Sequence, residues 1–135
     1  MDLIKITPDK EKVKSILRMV SLLEERIKVQ NRDKMFSLII SDYHEQIKEL
    51  ITAILLLDGW KTLSHKDLID YIDISYREFS KYEISILDDL RTIINKITYE
   101  DFFASFEYLE RNEKNFKDII NKLKNLINNK LVNIK

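Results

Sequence analysis

At 135 residues, 44% apolar and 34% charged, the chain has the size and composition of one globular domain spanning residues 1–135, which excludes a disordered segment. It has no cysteine, which excludes disulfides, thiolate zinc centres and a cysteine nucleophile and fits the reducing cytoplasm, the expected location. The net charge is zero but unevenly spread: nine basic and six acidic side chains over residues 1–40, seven and fifteen over 41–110, seven and two over 111–135. Basic ends suit nucleic acid or an acidic partner, although solvated helix faces are the simpler account.

A single glycine and a single proline leave too few turn residues for a sheet, so an all-α chain is expected. Thr7 is expected to cap a first long helix with Pro8 at its first position, and Val13, Ile16, Leu17, Val20, Leu23 and Ile27 form its apolar stripe. The polar run Gln30-Asn31-Arg32-Asp33 interrupts this pattern. A second helix follows from about Lys34 to Leu57, apolar nearly all round in its last two turns and so central to the core. Asp58-Gly59 stops it, because glycine takes the left-handed cap readily. Trp60 to Leu63 reads as a loop, and Ser64-His65-Lys66-Asp67 as the capped start of a short third helix. No clear pattern covers Asp73 to Phe79. Ser80-Lys81-Tyr82-Glu83 is a capping box that opens a fourth helix carrying Ile84, Leu87, Leu90, Ile94 and Ile97. After a turn over Tyr99 to Phe103, a last helix runs from about Ser105 to near the end. The expected architecture is an antiparallel four-to-five-helix up-down bundle.

The longest apolar run, Ile51 to Leu57, is far too short to cross a bilayer, and the N-terminus carries no secretion signal, so no membrane partner is expected. His44 and His65 stand outside any metal-binding spacing, and no metal or cofactor is expected. His44, within Asp42-Tyr43-His44-Glu45, reads as solvent-exposed; His65 follows a capping serine and has a local role. The aromatic set Tyr71, Tyr76, Phe79 and Tyr82 could stack bases, but packing beneath a loop explains it more simply. Phe116, Ile120, Leu123, Ile127 and Leu131 form a stripe that either lies inside the monomer or pairs with another chain, as in a structural or assembly protein.

Chemistry has one natural place. Arg91, Asn95 and Tyr99 are spaced by four and so lie one above the other on the fourth helix, between Ile93, Ile94 and Ile97. This helix and its exit resemble the signature region of the HEPN family, in which Arg, usually Asn, and then His close a late helix. Glu49 to His65, Asp88 to Tyr99 and Phe106 to Arg111 also resemble phrases of archaeal members, in the same order.

The resemblance implies a small helical bundle that is usually a homodimer and often a metal-independent, toxin-like ribonuclease, with His as proton shuttle and Arg on the phosphate. The chain departs from that pattern. With Asn95 on the motif Asn, Ile94 stands at the Arg position and Tyr99 at the His position. A phenol with a reference pKa of about 10 is a poor proton shuttle at neutral pH. What the resemblance implies here is a degenerate, non-catalytic binding or regulatory dimer. Its partner would be a minimal nucleotidyltransferase, as in some toxin–antitoxin pairs, or a nucleotide or RNA ligand held by Arg91, Asn95 and Tyr99. The alternative is a weak ribonuclease that uses those residues with His44 or His65 as base.

Overall fold

The structure is a computed structural model and describes residues 1–133. Five helices carry the fold: α1 (Lys10–Val29), α2 (Arg32–Asp58), α3 (His65–Ser75), α4 (Lys81–Tyr99) and α5 (Phe106–Asn133). Two short strands, β1 (Ile4–Lys5) and β2 (Trp60–Lys61), pair antiparallel with Ile4 opposite Lys61. Among the described residues, no helix is long and apolar enough to cross a membrane.

Several caps form as the sequence dictates. Ser64 accepts the Asp67 amide, Ser80 and Glu83 close a reciprocal capping box, and Gly59 takes the left-handed conformation after α2. The start of α1 differs. Asp9, not Thr7, is the N-cap and accepts the Lys12 amide at 3.0 Å, so Pro8 lies before the helix. Thr7 and Pro8 are drawn into the extended arm that follows β1, where the Ile6 amide donates to the Gly59 carbonyl at 2.9 Å. The Trp60–Lys61 segment is correspondingly a strand rather than a plain loop. Its partner lies more than fifty residues away, so no local pattern announces it. Asn31 caps α2, which begins at Arg32, two residues before the expected start, and kinks at Met35. The unpatterned stretch from Asp73 divides into the end of α3 and a turn over Tyr76 to Phe79.

Helix directions follow from the pairs that meet. Arg26 on α1 holds Asp42 on α2 with bonds of 2.9 and 2.6 Å, as an antiparallel hairpin requires. α3 and α4 join through a short turn, and Lys81 pairs with Asp73 at 2.9 Å. α4 and α5 also run antiparallel, with Glu83 on Lys122 at 2.7 Å. The alternation breaks between α2 and α3. His44 lies against His65 and Asp58 against Tyr71, so both numbers rise together and the two helices run the same way. Residues 59–64, which include β2, carry the chain back along α2 to the start of α3. α5 also runs parallel to α2, through Arg32–Glu113, Tyr43–Phe116 and Asp58–Lys130.

α2 is the central element. Ile40, Leu50, Ile54 and Leu55 are fully enclosed, and α5 buries Phe116, Ile119, Leu123 and Ile127 against it. The α5 stripe is therefore filled from within the monomer, which removes the ground for a helix that must pair with another chain. Tyr71 and Tyr76 both donate to Asp58, and Phe79 is buried beneath the Lys122 ammonium, so three of the four aromatics near the α3–α4 turn pack rather than present a stacking face. Tyr82 is exposed and accepts from Asn115.

Gly59 has φ +90°, and a Cβ there would sit 3.3 Å from the Ile6 carbonyl oxygen. Gly59→Ala is expected to cost about 1–2 kcal/mol, read as a lower midpoint in urea.

Candidate functional site

The three residues singled out on α4 do not share one environment. Arg91 is three-quarters covered and donates through Nε and Nη2 to Asp88 Oδ1 at 3.3 and 3.2 Å. Asn95 is exposed, and Tyr99 at the helix end is 81% exposed. No hydrogen bond among the described residues links the three. Ile94, at the motif Arg position, packs with Ile93 and Ile97 against the core. An arginine there would have to bury its guanidinium.

Arg91 meets different company. It lines a small hollow of about 20 Å³ with His44 and Lys48 of α2 and His65 of α3, room for about one water molecule. The two imidazole rings lie 5.9 Å apart, centre to centre. His65 is exposed at the start of α3, whereas His44 is only 8% exposed, contrary to the expectation of a solvent-facing side chain. The cause is its place on α2, every face of which is covered near this level except a narrow strip. Burial, then the neighbouring His65, pushes the His44 pKa down to about 4, against a weaker pull from Glu45. His44 is thus neutral at pH 7. The hollow therefore gathers Arg91 with both histidines and leaves Asn95 and Tyr99 outside.

A second concavity, which the sequence reading did not single out, lies between the C-terminal part of α1, the N-terminal half of α2, and α5. Its volume is about 460 Å³, within the range of small-molecule sites. On one wall Tyr43 donates to Glu113 Oε2 at 2.6 Å, and Arg32 pairs with the same carboxylate at 2.6 Å. Desolvation pushes the Glu113 carboxyl up, but the bonds from Arg32 and Tyr43 outweigh it and hold it below the usual carboxylate range. Burial and the Glu113 charge push the Tyr43 phenol up, so it stays a donor. Lys124 pairs with Glu24 across the same space. Lys28 and Lys117 also line it, are exposed, and have no carboxylate partner among the described residues.

Gln46 is the most buried polar residue lining this cavity, 1% exposed, and neither Nε2 nor Oε1 of its amide has a hydrogen-bond partner among the described residues. Leaving such groups unpaired costs roughly 1–3 kcal/mol each. One signal was present in the sequence: Ile39, Tyr43, Gln46 and Leu50 fall at helical spacing on one face, so a glutamine interrupts an otherwise buried stripe. Among the described residues no three His, Cys, Asp or Glu side chains converge as a metal site requires.

Compared with known proteins, the chain matches no family model, no curated protein and no solved structure.

Proposed function

We propose that the chain is a HEPN-like binding and regulatory module, a homodimer that acts with a minimal nucleotidyltransferase or on a nucleotide or RNA ligand rather than as an ordinary nuclease. The supporting observation is the open face of α4: Asn95 and the phenol of Tyr99 stand free in solvent, with no imidazole beside them. A free phenol at a helix end is accessible to a partner's active site and can accept a nucleotidyl group. A neutral phenol there is poorly suited to removing a ribose proton. Incubation with ATP and the cognate nucleotidyltransferase is expected to add one adenylate to the Tyr99 oxygen, with release of pyrophosphate and the phenol proton, read by peptide mass spectrometry. An unmodified Tyr99 overturns that partner. Sedimentation equilibrium of the free protein tests the dimer.

The hollow that joins Arg91 to His44 and His65 favours a second reading, a weak metal-independent ribonuclease. On that reading labelled RNA is cleaved in EDTA, and Arg91→Ala or His65→Ala lowers the rate by roughly 100-fold. Cleavage that survives both Arg91→Ala and His65→Ala rules out this site.

A further inference from the structure

We propose that the cavity between α1, α2 and α5 is a binding site for a nucleoside monophosphate. Three features of the site point to that chemistry. The Gln46 amide offers a donor and an acceptor side by side, both unpaired and nearly sealed from solvent. Their complement is an acceptor beside a donor on one rigid edge. Purine bases carry such an edge, which a glutamine reads with two parallel hydrogen bonds. The walls near Gln46 include Ile39, Ile120 and the ring of Tyr43, apolar surfaces suited to a flat heterocycle.

Charge supplies the third feature. Arg32 is paired with Glu113 and Lys124 with Glu24, whereas Lys28 and Lys117 hold no ion pair among the described residues, although Lys117 lies near enough to Glu113 to help keep it ionised. Two ammonium groups on long flexible stems can close on a phosphate. They come from α1 and α5, on either side of α2, so a bound phosphate would bridge the two outer helices. A slight opening of the walls is needed for the base to reach the Gln46 amide, and the unmade bonds of that amide favour the opened, occupied form. The site shares no residue with Arg91, Asn95 and Tyr99, so this proposal and the preceding one fail separately.

The test titrates the full chain with AMP and GMP, and with inorganic phosphate as a fragment, by calorimetry and by thermal unfolding. At least one nucleotide is expected to bind saturably and raise the unfolding temperature, with phosphate alone weaker. Gln46→Leu is expected to raise the unfolding temperature of the free protein while weakening nucleotide binding roughly 10- to 100-fold. Gln46→Met gives the same reading should the leucine variant not fold. Lys28→Ala with Lys117→Ala is expected to weaken binding and flatten its salt dependence. Absence of saturable binding by both nucleotides at millimolar concentration overturns the proposal, as does binding that Gln46→Leu and Gln46→Met leave unchanged.

Discussion

Between pH 6.5 and pH 4 the protein is expected to lose roughly 3 kcal/mol of stability through His44 alone. The folded protein holds this imidazole at a pKa of about 4, whereas an unfolded histidine titrates near its ordinary value of 6.5. Over that interval the unfolded chain binds a proton that the native state refuses. Stability contributed by the neutral ring is complete above pH 6.5, falls as the pH drops, and is fully lost near pH 4. Burial sets most of the shift; His65 on α3 and Lys48 on α2 add to it, and Glu45 on α2 opposes it, while Arg91 of α4 lines the same hollow. Urea midpoints measured across this range should follow that slope. In His44→Gln the slope between pH 6.5 and 5 should largely vanish; a wild-type slope retained in the variant would mean that another group carries it. Below about pH 4.5 a further loss is expected from Glu113, whose carboxylate is held ionised by Arg32 and Tyr43 and gives its stabilisation only above the unfolded carboxylate pKa.

The largest effect of a single polar substitution is expected at Asp58. Its carboxylate ends α2 and receives the phenols of Tyr71 at 2.6 Å and Tyr76 at 2.5 Å, and the ammonium of Lys130 at 2.6 Å. Three elements are thereby fastened at one point: α3, the turn after it, and the far end of α5. Burial, then the bond to Asp58, pushes both phenols up, so they remain donors throughout the useful pH range. Asp58→Ala leaves two partly buried hydroxyls and a largely covered cation without their acceptor, at a cost of about 3 kcal/mol. Lys130→Met should cost much less, because the carboxylate keeps both phenols. If Asp58→Ala proves no worse than Lys130→Met in equilibrium unfolding, the carboxylate is not the shared anchor described here.

The helices were legible because their determinants are local. Ser64, Ser80 with Glu83, and Gly59 each settle a boundary within four residues of themselves. Thr7-Pro8 misled for a physical reason: proline fits a first helical turn and an extended arm equally well, and the pairing of β1 with β2 chose the arm. The same non-local ribbon lets α3 run alongside α2 in the same sense, which breaks the simple up-and-down order. His44 misled because α2 is covered on nearly every side, and the same cover encloses Gln46. A helix whose neighbours lie on opposite faces buries polar positions that would be solvated on an ordinary amphipathic helix.

By itself, then, the sequence determined an all-helical chain, most of its boundaries, the caps, and the apolar stripes that meet in the core, since each depends on spacing and on residues a few positions apart. Only the tertiary structure decided which polar side chains share a space. It set Arg91 beside His44 and His65 rather than beside Asn95 and Tyr99, and it enclosed Gln46 among α1, α2 and α5. Those groupings depend on helix direction and on which faces meet, which are set by contacts between residues far apart in the chain, such as Arg32 with Glu113 and His44 with His65.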